Sequence, residues 1–121
     1  MSKQKILMIE DEIDLAEVAK IGLEDAGYEV ILAGDGETGV KKAREEKPDI
    51  ILLDVALPGL MDGHEICKCL QEEDNKDIPI IILTASAVKE VEEESLMSGA
   101  VGFIKKPYDL NDLIKKIKRV I

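Results

Sequence analysis

Apolar residues come in short unbroken runs separated by longer stretches with helical spacing, and this alternation repeats five times. The runs are KILMI (5–9), EVILA (29–33), DIILLD (49–54), IPIIILT (78–84) and VGFIK (101–105). The helical stretches fall near 14–26, 36–46, 63–72, 88–98 and 109–120. Continuous apolar runs, rather than runs alternating with polar residues, suit strands buried on both faces. Strict strand–helix alternation implies right-handed crossovers and one parallel sheet covered by helices on both sides. The fold class is therefore α/β, with the third and fourth runs, the most apolar, near the middle of the sheet. Three helix starts are marked by a cap acceptor three residues ahead of an acidic side chain: Asp14 with Glu17, Asp62 with Glu65, and Asp109 with Asp112.

Open parallel sheets place their functional crevice beyond the carboxyl ends of the strands. The residues that end the apolar runs are therefore the candidates for chemistry. The first run ends in Glu10, Asp11 and Glu12, the third on Asp54, the fourth on Thr84, and the fifth on Lys105 and Lys106 before Pro107. The second ends on Ala33 and contributes no such side chain. Taken singly, Glu12, Asp14 and Asp62 read as solvated turn or cap residues, Thr84 as an ordinary strand-end threonine, and a lysine before proline as exposed. As a set they put acids, a hydroxyl and an amine on one edge.

Carboxylates ~4 Å apart repel by about 4 kcal/mol per pair at an effective dielectric of ~20, so they ionise together only beside a cation. Glu10, Asp11 and Asp54 thus call for a hard divalent ion, and an all-oxygen set with few protein donors suits Mg²⁺ completed by water and phosphate. A lysine and a hydroxyl facing the same spot can bind the remaining oxygens of a phosphoryl group. Asp54, between metal and lysine, is placed to be a nucleophile that becomes an aspartyl phosphate.

Length and composition narrow the classes. At 121 residues the chain is one ordinary domain (1–121), and 45% apolar with 35% charged residues reads as soluble and globular. No apolar stretch is long enough to cross a bilayer and no secretory signal opens the sequence, so the expected location is the cytoplasm, without membrane insertion. The formal charge of −10, from 16 basic and 26 acidic residues, opposes direct nucleic-acid binding. Cys67 and Cys69, two apart on a predicted helix, point to nearly opposite sides and read as reduced thiols without function, Cys67 on the core stripe with Ile66 and Leu70, and Cys69 facing away. The sole histidine, His64, reads as solvent-exposed at the start of a helix.

Five residues in this order, each ending its own strand, carry a resemblance to the receiver (phosphoacceptor) domains of two-component response regulators, over essentially the whole chain. They are Glu10 and Asp11 in MIEDE, Asp54 in ILLDVALPG, Thr84 in IILTASA and Lys106 in FIKKPY. The resemblance implies a flavodoxin-like, CheY-like doubly wound sheet of order 2-1-3-4-5 with five helices. It also implies roles: Glu10, Asp11 and Asp54 as Mg²⁺ ligands with the backbone carbonyl of Ala56, Asp54 as phosphoacceptor, and Thr84 and Lys106 as phosphate contacts. A cis bond at Lys106-Pro107 belongs to the same pattern, and Lys105 faces outward. The chain departs from the family twice. LPGLMDG (57–63) is one residue longer than the usual loop, which bears on the loop over the site and the start of the third helix. The switch aromatic is Phe103, which cannot make the hydrogen bond of the tyrosine often found there.

By the same resemblance, a sensor histidine kinase or histidine phosphotransfer protein supplies the phosphoryl group. Thr84 then moves toward it, Phe103 follows, and the face formed by the fourth helix, fifth strand and last helix is remodelled for a downstream protein target. That face carries an acidic segment, KEVEEES (89–95), and a basic one, IKKIKRV (114–120), which read as solvated surface or as a pairing surface. The protein is then no turnover enzyme, catalysing only its own phosphorylation and dephosphorylation. Small residues at Ala56 and Ala85 leave room for the water that hydrolyses the acyl phosphate. Both a stand-alone receiver, acting by protein contact or within a phosphorelay, and the receiver of a longer regulator fit the sequence. Two other enzyme and cofactor classes fit poorly: a haloacid-dehalogenase-type phosphohydrolase needs an acid where Ala56 stands, and a nucleotide- or flavin-binding loop would be repelled by EDEID. The alternative is a receiver-like interaction module that is never phosphorylated.

Overall fold

The computed structural model describes residues 3–54, 63–71, 77–84 and 100–121, with the side chains of 63 and 64 outside that description. Its elements run β1 (Lys5–Ile9), α1 (Ile13–Asp25), β2 (Glu29–Ala33), α2 (Gly36–Glu46), β3 (Ile50–Asp54), α3 (Gly63–Leu70), β4 (Ile80–Thr84), β5 (Gly102–Lys105) and α4 (Leu110–Val120). All five strands form one parallel sheet in the order β2-β1-β3-β4-β5, so β3 is central and the order reverses beside β1. The expected helix at 88–98, Ala56, Ala85, the Pro58–Gly59 turn and the Asp62 cap lie outside the described residues, as does the His64 side chain.

The inner strands β1, β3 and β4 are almost wholly apolar and buried because both sheet faces are covered. Alternate residues feed two cores. Leu7, Ile9, Ile51, Leu53, Ile80 and Ile82 meet Val40 and Ala43 of α2 and Ile66, Cys67 and Leu70 of α3 on one face. Ile6, Met8, Ile50, Leu52, Ile81 and Leu83 meet Ala19 and Leu23 of α1 and Leu113 and Ile117 of α4 on the other. Cys67 is fully buried, and burial pushes its thiol up to about 11; Cys69 is not turned fully away but packs, half-buried, against the first core.

Three strand starts differ from the sequence reading, at β3, β4 and β5, the last beginning at Gly102 rather than 101. β4 begins at Ile80 rather than 78, because Pro79 has no N–H for the ladder and offers only its carbonyl, which accepts from Ile51 N at 3.0 Å. β3 begins at Ile50; Asp49 before it donates its N–H to the Lys5 carbonyl at 2.8 Å and takes the Lys5 N–H on its carboxylate at 2.7 Å. Among the caps, Asp109 accepts from Asn111 N at 2.7 Å as its position suggests. Asp14 does not cap α1: Glu12 occupies the cap position without a side-chain bond, and Asp14 lies in the first turn, where its charge favours the helix dipole. The cap of α2 is Asp35, which takes the Thr38 N–H at 2.7 Å.

Candidate phosphoacceptor site

Three strand ends bring charge to one point. In parallel register Ile9 stands opposite Leu53, so the next residues, Glu10 and Asp54, lie side by side, and both continue the sheet face of Met8 and Leu52. β2 assists although its last side chain is only an alanine: Glu10 N donates to the Ala33 carbonyl at 2.9 Å, which fixes where the chain leaves β1. β5 supplies Lys106, whose N–H donates to the Thr84 carbonyl at 2.6 Å and whose peptide bond to Pro107 is cis, as the resemblance implies.

The Lys106 ammonium bridges the two acids. Its Nζ lies 2.7 Å from Glu10 Oε2 and 2.9 Å from Asp54 Oδ2, with the carboxylate side chains 1% and 4% exposed and that of Lys106 16% exposed. Glu10 Oε1 also accepts from Glu12 N at 3.2 Å. Burial raises the Glu10 carboxyl above its usual range; the Lys106 bond opposes the rise and neighbouring Asp54 adds to it. Burial works against the charge on Lys106 as well, but its bonds to Glu10 and Asp54 prevail and hold the ammonium above its ordinary value.

Asp11, exposed at the mouth of the site, completes an acidic cluster. One carboxylate oxygen each from Glu10, Asp11 and Asp54 lie within 4.8 Å of one another. Among the described residues one ammonium, that of Lys106, stands with these three carboxylates, which leaves an excess of negative charge directed at one place. An oxygen-only donor set of this kind fits a hard divalent cation with several of its own waters.

Of the other expected site residues, Thr84 is buried at the end of β4, where the pleat puts it on the opposite sheet face from Asp54, with Ile80 and Ile82. Phe103 is half-buried on β5 opposite Ile82 and packs against that same core. Lys105 is exposed, so Lys106 is the lysine that the fold brings to the acids. Two contributors escape a search for side-chain chemistry at strand ends. The Ala33 carbonyl acts through backbone alone. Tyr108 lines a groove of about 430 Å³ beside the site together with Lys106, Glu12 and Leu15, and only its position just after KKP could have pointed to it.

Comparison with known proteins agrees with this fold. Residues 6–118 match the family described as the response regulator receiver domain. The chain is 39% identical over 118 residues to the alkaline phosphatase synthesis transcriptional regulatory protein PhoP of Bacillus subtilis, covering 98% of this chain and 48% of that protein. The chain thus spans about half the length of this curated relative. Its fold is similar to that of the chemotaxis protein CheY4 of Vibrio cholerae, with a TM-score of 0.92, 34% identity, and 99% and 100% of the two chains covered. It is also similar to the receiver domain of the sensor histidine kinase PA1611 of Pseudomonas aeruginosa, with a TM-score of 0.88, 32% identity and 98% of each chain covered. That structure holds a magnesium ion in its active site cleft.

Proposed function

Since this chain belongs to the response regulator receiver domain family, we propose that it is the phosphoacceptor switch of a two-component system, with Asp54 as the residue phosphorylated. The observation that carries this reading is the placement of Asp54: buried at the end of the central strand, with a cationic hydrogen-bond donor 2.9 Å from one carboxylate oxygen and two further acids beside it.

The phosphoryl donor is a phosphohistidine on a sensor histidine kinase or a histidine phosphotransfer protein. An Asp54 oxygen attacks phosphorus, the P–N bond breaks, and its electron pair stays on the departing imidazole, leaving an acyl phosphate. The Lys106 ammonium, already directed at Asp54, neutralises charge on the phosphoryl oxygens, and the Thr84 hydroxyl is the second donor to them. Glu10, Asp11, Asp54 and the carbonyl of Ala56 would hold Mg²⁺, which supplies charge neutralisation for in-line transfer. Water later hydrolyses the acyl phosphate, restoring the carboxylate and releasing inorganic phosphate. The protein thus catalyses only its own modification and its reversal. Exposed Ile13 and Val18 on α1 give the donor protein an apolar surface next to the site.

Phosphorylation matters through a two-state element. Here that element is Thr84 with Phe103, whose rearrangement alters the outer face of β5 and α4 for a downstream protein target in the cytoplasm. The negative charge of the domain argues against its binding nucleic acid itself.

Intact mass after incubation with Mg²⁺ and acetyl phosphate tests the reading. A gain of one phosphoryl group, abolished by chelator and by Asp54→Asn, is expected. No gain in the parent protein would leave an interaction module that kept only the fold.

A further inference from the structure

Lys106 stands between two different surroundings. Its ammonium contacts two almost fully buried carboxylates, yet its side chain also lines the open groove of about 430 Å³ between α1 and the segment joining β5 to α4. Water in that groove competes for the ammonium and raises the local dielectric, which weakens its hold on Asp54. On the same side stands the ring of Tyr108, which lines the groove and packs against the core shared by α1 and α4. Its hydroxyl has no hydrogen-bond partner among the described residues. The phenol is nonetheless within the field of the site: burial raises its pKa above the ordinary tyrosine value, and the charges of Glu10, Lys106 and Asp54 all act on it.

We propose that the Tyr108 ring is a positioning residue, a wall that limits how much groove water reaches Lys106 and so helps to hold the ammonium on Asp54. The inference rests on Asp54 being the phosphoacceptor. Without the ring the groove would open further onto a lysine whose side chain is now only 16% exposed, and the ammonium would spend less time where charge develops during transfer. Losing one such donor outright costs roughly 10²–10³ in rate, so loosening it costs less, about tenfold.

The test is the rate of phosphorylation by acetyl phosphate at saturating Mg²⁺. In this reaction a bond forms between an Asp54 oxygen and phosphorus, the P–O bond to the acetyl group breaks, and acetate leaves with the electron pair. Tyr108→Ala is expected to react about tenfold more slowly than the parent, with the deficit widening as NaCl is raised. Tyr108→Phe should stay within about twofold of the parent, because the hydroxyl has no partner to lose. Leu110→Ala trims the same groove where the side chain meets Gly22 of α1, and should lower stability while leaving the rate unchanged. Should Tyr108→Ala not fold, Tyr108→Leu replaces it, with an expected deficit of about threefold.

A Tyr108→Ala rate equal to the parent's overturns the inference. So does an equal slowing in Leu110→Ala, which would make the ring mere packing, or a Tyr108→Phe as slow as Tyr108→Ala, which would assign the effect to the hydroxyl. Absence of phosphorylation in the parent itself sinks the phosphoacceptor reading and this inference with it, an outcome separate from all the others.

Discussion

Glu10 stands in the most unfavourable setting of the acids whose shifts are resolved, buried beside Asp54 with only part of the Lys106 ammonium to itself. Its carboxyl is raised, so in the absence of a divalent ion the folded state binds this proton more tightly than the unfolded chain does. By linkage, that preference contributes stability that is fully present below the ordinary carboxyl value of 4.5 and is lost as pH rises through the higher folded value. Glu10→Gln removes the charge without removing the volume. Urea midpoints measured in chelator should therefore favour the variant at pH 7 by about 1 kcal/mol, a usual size for one substitution. The difference should shrink as pH falls below the ordinary carboxyl value. A variant less stable than the parent at pH 7 would mean that the Lys106 contact outweighs the cost of burial. The acid would then be retained for folding as well as for binding a cation.

One residue before Glu10, helix α2 approaches strand β1 closely, and that approach rests on a residue with no side chain. A Cβ at Gly39 of α2 would collide with the Ile9 side chain, its Cγ1 lying at 2.7 Å and its Cγ2 at 3.2 Å. Ile9 is fully buried and β-branched, so it cannot swing aside. In an exposed helix Gly→Ala would gain about 1 kcal/mol, but here overpacking should reverse the sign and cost about 1–3 kcal/mol, read as a lower urea midpoint. Much of this arrangement is legible in the sequence. The period of the apolar runs marks all five strands, and Glu10, Asp54 and Lys106 are chosen by their place at strand ends. What escapes are features without a side-chain signature. The Ala33 carbonyl holds Glu10 through backbone, Pro79 shortens β4 by lacking a donor, and Glu12 takes the cap position of α1 although Asp14 has the more favourable cap chemistry. The glycine at 39 does not announce its role either, because it acts through Ile9, a contact distant in sequence.

A chain with a formal charge of −10 gathers some of its acids into one cluster at the edge of a cooperative sheet, so a cation bound there should stabilise the whole domain. Two effects of added Mg²⁺ must be separated. Any salt screens the general repulsion, over a Debye length of about 10 Å at 0.1 M, and this should be matched by NaCl at equal ionic strength. Specific binding adds a term that grows with the logarithm of free ion beyond saturation and reaches about 2.7 kcal/mol at a hundredfold excess over Kd. Urea unfolding of the parent should therefore show a midpoint that keeps rising with Mg²⁺ after the NaCl curve has flattened, and removing the ion with chelator should reverse it. Asp11→Asn is the sharper control, since its side chain is exposed and its loss leaves the buried pair with Lys106 intact. If the Mg²⁺ and NaCl curves coincide in the parent, the acids are held together by Lys106 alone. If they diverge in the parent and merge in Asp11→Asn, the cluster is a cation site in which the exposed acid contributes binding and the buried acids contribute geometry.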